Sequence, residues 1–115
     1  TLFSVVIEHD TLSGAPTDSA LVVLDSLAKK WPVWTEDSAF VNITLTSYYY
    51  CCDSLTDSLY QARLEACLNR IRYLQQFFER SGIPCERIMP SPSIFIYNDE
   101  AHWFRRTEIQ VIENY

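Results

Sequence analysis

One pattern near the middle of the chain restricts its fold more than any other feature. Six apolar residues recur at spacings of four, three, four, three and four: Tyr60, Leu64, Cys67, Ile71, Leu74 and Phe78. This spacing puts them in a single stripe along one side of a helix whose other side is polar. Gly82 and Pro84 follow where such a helix would end. The pattern therefore predicts a long amphipathic helix over residues 55–81 that lies on a hydrophobic core.

Strand patterns and a second helix account for most of the remaining chain. Apolar and β-branched residues indicate four strands, over residues 3–8, 40–47, 94–97 and 107–112. The second strand can continue through the tyrosines at 48–50. Before it, Thr17 can cap a helix that Pro32 is expected to end, with Lys29 and Lys30 in the last turn.

The resulting order, β-α-β-α-β-β, predicts an α/β (α+β) two-layer sandwich in which two helices cover one face of a mixed sheet. The third strand is expected to start after a bend at Pro90 and Pro92, and the last two strands are expected to pair like a hairpin. The 115 residues fit a single domain, residues 1–115. Because Thr1 is not a natural start, we expect this domain to be a piece of a longer protein.

Charge and glycine content exclude several classes of function. The net charge of -6 and the pI of about 4.7 argue against nucleic acid and anionic membrane surfaces as partners, because both require basic patches. The sequence has two glycines, Gly14 and Gly82, so it lacks the glycine-rich loops that bind nucleotide cofactors. No apolar run reaches the roughly 18–20 residues of a membrane span, so we expect no direct membrane insertion of this domain.

Catalytic and metal sites find little support in the sequence. His9 and His102 lie beside acidic residues in predicted surface loops, but no nucleophile or oxyanion hole can be assigned at a suitable spacing. Cys51 and Cys52 have no His or Cys partner at zinc spacing, and Cys67 belongs to the apolar stripe as a small buried hydrophobe. We therefore expect no enzyme activity, no metal and no cofactor.

Two motifs and one arginine occur at the spacing of a known family. The first motif, Gly-Ile-Pro-Cys-Glu-Arg-Ile at residues 82–88, follows the long helix. The second, Phe-Arg-Arg-Thr-Glu-Ile at residues 104–109, opens the last strand, and Arg70 stands twelve residues before Gly82. Together these residues resemble the OmpA-like C-terminal domain, and the resemblance covers nearly the whole chain and agrees with the order of elements.

The resemblance implies a non-enzymatic module for non-covalent peptidoglycan binding in the periplasm of a Gram-negative bacterium, tethered to the outer membrane through the rest of the parent protein. In the family, an aspartate after the second strand receives the ammonium of diaminopimelate in the peptidoglycan stem peptide, and a helix arginine receives its carboxylate. Carried over, these positions are Asp53 and Arg70, seventeen residues apart instead of fifteen. Arg105, Arg106 and Tyr50 are the further candidate ligand-binding residues.

Departures from the family pattern surround this candidate site. Tyr50 and Cys51 stand where the family has glycine and histidine, the usual glycine after the aspartate is missing, and Phe104 replaces an asparagine. The resemblance therefore leaves open whether the fold is kept while peptidoglycan binding is weakened, altered or lost. A rival register places the arginine at Arg63, and Tyr48 then stands at the position of the acid.

Simpler roles and another class of function remain open for the same residues. Asp53 can cap the long helix or the turn before it, and the stem of Arg70 can cover the core. The tyrosines at 48–50 can pack on the sheet instead of stacking on a sugar. An exposed aromatic segment would indicate a protein–protein docking domain in an outer-membrane or surface-appendage assembly, with another envelope protein as its partner.

Overall fold

The computed structural model describes five segments of the chain and confirms the predicted order of elements. The segments are residues 1–10, 13–36, 40–50, 57–95 and 105–113, with the backbone alone at residues 49, 50, 57, 59, 94 and 95. They contain, in chain order, β1 (Phe3–Glu8), α1 (Asp18–Thr35), β2 (Val41–Tyr50), α2 (Asp57–Arg80), β3 (Ile88–Phe95) and β4 (Arg106–Glu113). A short 3-10 helix, Cys85–Arg87, links α2 to β3.

The strands form one mixed sheet in the order β1-β4-β2-β3. β4 lies between β1 and β2 and is antiparallel to both, whereas β2 and β3 are parallel neighbours joined through α2. The predicted hairpin of the last two strands is therefore wrong, because β4 inserts into the middle of the sheet and β3 takes an edge. The central position of β4 fits its sequence, since Ile109 and Val111 are fully buried.

The hydrophobic core lies between one face of this sheet and the two helices, which confirms the predicted two-layer arrangement. Among its largest fully buried side chains are Phe78, Leu24, Leu27, Ile43, Leu45, Ile71, Leu74, Ile83 and Ile109. The predicted alternation in β2 is confirmed, because the apolar positions 41, 43 and 45 are buried and the polar positions between them are not. The other face of the sheet is accordingly the more exposed one.

Helix α1 continues past its predicted end at Pro32 and stops at Thr35. A proline inside a helix removes one backbone hydrogen bond. Packing on both sides of Pro32 offsets that loss, because Trp31 is buried and the ring of Trp34 lies 5.8 Å from the ring of Phe3, centroid to centroid. Thr35 Oγ1 also donates to the carbonyl of Trp31 at 2.9 Å, which satisfies an acceptor at the helix end. The lysine pair expected in the last turn therefore lies earlier in the helix.

Two other predicted helix-end signals, Thr17 and Gly82, are confirmed. The side-chain oxygen of Thr17 accepts the N–H of Ala20 at 3.2 Å and so caps α1. At the end of α2, Gly82 adopts a φ of +94°, a conformation that glycine reaches without strain. This turn lets the N–H of Ile83 donate to the carbonyl of Phe78 at 3.0 Å, and both side chains are buried. The bond pattern is a Schellman motif, which stops α2 and directs the chain toward β3.

Strand β3 begins at Ile88 and includes the two prolines that were expected to form a bend before it. Pro90 and Pro92 pair in register with Leu45 and Ser47 of β2. A proline cannot donate a backbone hydrogen bond, but an edge strand tolerates it where the nitrogen faces away from the neighbouring strand. The edge position of β3 therefore explains why the predicted start at residue 94 is wrong.

Candidate functional site

Four polar or charged side chains are buried in the described part of the chain: His9, Ser47, Arg70 and Thr107. Ser47 and Thr107 are partners on the adjacent strands β2 and β4, and His9 follows β1 on the other side of β4. Hydrogen bonds join His9 to Thr107 and Arg70 to Ser47. We call these four residues the polar layer, and it crosses one end of the sheet.

His9 is 2% exposed, so the expectation of a surface-loop histidine is wrong. Its Nδ1 lies 2.8 Å from the carbonyl oxygen of Gly14 and must carry the proton, because a carbonyl can only accept. Nε2 is then the acceptor for the Thr107 hydroxyl at 2.7 Å. Burial lowers the pKa of His9 to about 4; the bond to Gly14 opposes this shift and the positive charge of Arg70 adds to it. The ring is therefore neutral at pH 7.

Arg70 lies on the inner side of α2 and is 6% exposed. Its Nε donates to the hydroxyl of Ser47 at 2.9 Å, and its Nη2 donates to the carbonyl of Tyr48 at 2.6 Å. Both acceptors belong to the second half of β2, so the guanidinium is held toward the carboxyl end of that strand. A guanidinium has five N–H groups, and these two bonds leave others for a further acceptor.

Among the residues that the structure describes, no carboxylate pairs with the guanidinium of Arg70. Burial lowers the pKa of Arg70, and the neighbouring Cys67 opposes that effect. The group nevertheless keeps its charge, because arginine is not deprotonated in proteins. A buried charge without a counterion is costly, and a carboxylate that reached it would form a charge-assisted pair. The polar layer can therefore act as an anion site.

A short piece of backbone, residues 13–17, runs beside the end of β1, and we call it the strap. The N–H of Asp10 donates to the carbonyl of Ala15 at 2.7 Å, and His9 lies opposite Pro16 in an antiparallel bridge. These contacts continue the edge of the sheet beyond β1. They also place the strap next to the polar layer.

Gly14 is the point at which the strap meets α2. Its φ is +78°, and a β-carbon built on it would lie 3.8 Å from Cγ of Arg70 and 3.9 Å from Cε2 of Tyr73. The strap therefore runs beside the aliphatic stem of Arg70 and the ring of Tyr73, with room for about one methyl group between Gly14 and these side chains. The carbonyl of Gly14 also accepts a hydrogen bond from Nδ1–H of His9, so Gly14 lies between His9 and Arg70.

Cys67 is fully buried, which confirms its prediction as a small core residue. Its thiol donates to the carbonyl of Ser47 at 3.3 Å. Burial raises the pKa of the Cys67 thiol, so it stays protonated at neutral pH and is a poor nucleophile. Cys51 and Cys52 lie outside the described residues.

The structure does not bring the predicted ligand-binding residues Arg105 and Arg106 together with Arg70. Arg106 pairs with Glu8 at 3.2 Å, and because it alternates with the inward Thr107 it lies on the uncovered face of the sheet. Arg105 is exposed, and its backbone carbonyl accepts the N–H of His9 at 2.8 Å. A direct ligand role of either arginine at the polar layer thus has no geometric support here.

The remaining predicted residues are described in part or not at all. Asp53 and Phe104 lie outside the described residues, and Tyr50 is described by its backbone alone, at the end of β2. Arg63, the rival position for the ligand arginine, is half-buried about two turns before Arg70 on α2. The assignment of Asp53 and Tyr50 to a site stays a prediction.

Sequence reasoning missed three members of the polar layer, although the strand periodicity contains the signal. Val5, Ile7 and His9 alternate along one side of β1. The buried apolar positions of β2 continue in the same way to Ser47, and those of β4 begin at Thr107. Because side chains of a strand alternate between faces, all three polar residues fall on the core side.

No group of three or more His, Cys, Asp or Glu side chains in the described segments could hold a metal ion. Within the same part of the chain, neither helix combines the length and the apolar character needed to cross a bilayer.

No protein-family model and no curated protein matches the sequence, but solved structures match its fold. The OmpA-like domain of FopA1 from Francisella tularensis subsp. tularensis SCHU S4 gives a TM-score of 0.63 at 13% identity, over 96% of this chain and 72% of that one. The peptidoglycan-associated lipoprotein from Burkholderia pseudomallei gives 0.62 at 13% identity, over 95% and 89%. A putative MotB-like protein from Desulfovibrio vulgaris gives 0.67 at 15% identity, over 96% and 75%.

These similarities define the class of fold. The chain has the OmpA-like fold, with the strand order and the two helices described above. The resemblance that the sequence motifs suggested is therefore confirmed for the fold.

Proposed function

We propose that this chain is a non-enzymatic binding module of the bacterial cell envelope, in which Arg70 receives a carboxylate of a peptidoglycan stem peptide. The single observation that carries the proposal is the buried guanidinium of Arg70, which is held by two hydrogen bonds and has no carboxylate partner in the described segments. The same residue occupies the position of the ligand arginine in the family resemblance. Similarity to a peptidoglycan-associated lipoprotein supports this ligand class.

The chemistry required is recognition without bond making. The planar fork of an arginine can bind a carboxylate through two parallel hydrogen bonds, and burial strengthens such a pair because water competes less. Asp53 is the proposed partner for the ammonium of the same diaminopimelate. This function places the domain in the periplasm, tethered to the outer membrane by the rest of the parent protein, in contact with the cell wall.

The test is isothermal titration with a disaccharide-tetrapeptide that contains meso-diaminopimelate. Arg70→Lys keeps the positive charge but loses the fork, and we expect roughly 10–100-fold weaker binding, the equivalent of one charged hydrogen bond. Arg72→Lys is the matched control, because Arg72 lies on the exposed side of the same helix and donates to Asn69 at 3.0 Å. The control should bind like the wild type, and Asp53→Asn should weaken binding.

A second ligand separates the proposed contact from general effects on the protein. Amidation of the free diaminopimelate carboxylate should weaken wild-type binding as much as Arg70→Lys does, because both changes remove the same pair. Equal losses for Arg70→Lys and Arg72→Lys would show that general charge explains binding. No binding by the wild type at millimolar ligand would overturn the proposal and favour a docking domain for another envelope protein.

A further inference from the structure

We propose that His9 is a positioning residue for the Arg70 site: through Gly14 it holds the strap beside the stem of Arg70 and so limits the positions open to the guanidinium that receives a carboxylate. The identity of the ligand rests on the proposed function, whereas the restraint of Arg70 by His9 and the strap does not.

His9 is itself held by a rigid element of the fold. Its Nε2 accepts from Thr107, which is fully buried on the central strand β4. β4 is hydrogen-bonded to β1 on one side and to β2 on the other. The imidazole ring therefore has a fixed position, and its Nδ1–H points to the strap.

His9 connects the strap to a different part of the sheet. The other hydrogen bonds of the strap are local, as in the N–H of Gly14 donating to the carbonyl of Asp10 at 2.9 Å and the N–H of Thr17 donating to that of Glu8 at 3.1 Å. These bonds shape the strap beside β1 but do not reach β4. His9 adds the contact with β4, which sets how closely Gly14 approaches α2.

The position of the strap restricts the side chain of Arg70. Its stem lies between Gly14 and the end of β2, where Nε and Nη2 find their acceptors. A long arginine side chain that is already fixed loses less entropy when a ligand arrives, and this preorganisation strengthens binding. Loss of the hydrogen bond between His9 and Gly14 would let the strap move away from the stem of Arg70. The hydrogen bonds of Arg70 to β2 would remain, but they would be less protected from exchange with water.

Three substitutions separate the two hydrogen bonds of His9. The amide nitrogen of asparagine comes near the position of Nδ1, and that of glutamine near the position of Nε2. His9→Gln therefore retains a partner for Thr107 and loses the tie to Gly14, whereas His9→Asn retains the tie to Gly14. Thr107→Val removes the other hydrogen bond of the ring, the one that ties it to β4, so it should act in the same direction as His9→Gln. Leu24→Val is the matched control, because it shortens a fully buried side chain of α1 outside the polar layer, at a cost in stability of about 1 kcal/mol, similar to that of a lost hydrogen bond.

The ligand-free measurement is the exchange of the Arg70 Nε proton with water, followed by nitrogen-15 NMR. We expect roughly tenfold faster exchange in His9→Gln, because local opening governs the exchange of a buried proton. His9→Asn and Thr107→Val keep the bond to Gly14 but lose the link to β4, so a smaller increase is expected in them and little change in Leu24→Val. A purely structural role of His9 would instead make exchange follow the stability lost in each variant. Unchanged exchange in His9→Gln would overturn the proposal.

Two further measurements complete the test. Binding of the disaccharide-tetrapeptide should weaken about tenfold in His9→Gln and stay unchanged in Leu24→Val, since preorganisation is lost in the first of these two variants alone. If the wild type does not bind, the proposed function fails while the exchange measurement still decides the role of His9. If His9→Gln does not fold, nitrogen-15 shifts of the wild-type ring decide instead, because a proton on Nε2 would exclude donation to Gly14 and overturn the proposal.

Discussion

The buried ring of His9 should make this protein specifically sensitive to acid. Its pKa is about 4 in the folded protein, because burial disfavours the charged form, against 6.5 for an exposed histidine. Protonation would place a second positive charge in the polar layer, beside Arg70. The unfolded chain therefore binds the proton first as the pH falls. The stabilising contribution of neutral His9 is complete above pH 6.5 and is lost by the time the pH reaches about 4.

The magnitude follows from the difference between these two pKa values. Linkage between protonation and folding gives a loss of about 2 kcal/mol in the free energy of unfolding between about pH 7.5 and pH 5, and about 3 kcal/mol by pH 4. Small domains are stable by about 5–15 kcal/mol, so this loss is a substantial fraction. Increasing net charge and carboxylate titration also change stability over this range, so a reference variant is needed.

The assay is urea unfolding of the wild type and His9→Asn at a series of pH values between about 4 and 7.5. Asparagine can keep the hydrogen bond to Gly14 but cannot be protonated, so the difference between the two proteins isolates the histidine. The variant should be less stable at pH 7 and should lose less stability on acidification. Parallel losses in the two proteins, or titration of the His9 ring near 6.5 by proton NMR, would refute the reasoning.

Three other predictions test the fold by substitution. Gly82→Ala should lower the free energy of unfolding by about 1–2 kcal/mol, because alanine is strained at φ +94° although no atom lies within 4 Å of its β-carbon; an unchanged Tm would contradict this. Leu74→Ala should cost about 2–5 kcal/mol in urea unfolding and Tyr73→Ala clearly less, since Leu74 is fully buried and Tyr73 is 41% exposed. Replacing Pro90 and Pro92 together by threonine should restore two N–H groups to an edge strand and promote self-association, measured by light scattering; a protein that stays monomeric would contradict it.

Local signals were sufficient to predict the helices and three of the strands. The apolar stripe and Gly82 define α2 because helix periodicity and the left-handed turn after a helix depend on neighbouring residues. The same holds for β1 and β4, where alternating residues face the core. These elements needed no knowledge of their partners in the fold.

Long-range pairing explains what the sequence pattern did not predict. Pro90 and Pro92 indicated a bend because proline rarely lies in a strand, and only the edge position of β3 makes them acceptable. The insertion of β4 between β1 and β2 is likewise a property of the whole sheet. Pro32 was expected to end α1, but the packing of Trp34 on Phe3 comes from a strand far away in the sequence.

The candidate site was predicted in part, for a related reason. Arg70 was identified through its distance from Gly82 in a family motif, and it lies in the polar layer. His9 was assigned to the surface because a polar residue next to acidic ones usually lies there, whereas its inward direction follows from strand alternation. Arg106 also belonged to a family motif, but the same alternation places it on the opposite face, beside Glu8.

The energetics of Arg70 favour binding over stability as the explanation for its burial. Removing a guanidinium from water costs several kcal/mol even after relaxation of the protein, and two hydrogen bonds from a charged donor return about 1.5–3 kcal/mol each. These amounts nearly cancel, so Arg70 adds little to the free energy of unfolding. An apolar side chain between Cys67 and Ile71 would cover the core without the cost of a buried charge. A carboxylate ligand changes this balance, because it supplies the counterion that the described residues do not, at the end of the sheet where Ser47 and Tyr48 already orient the guanidinium.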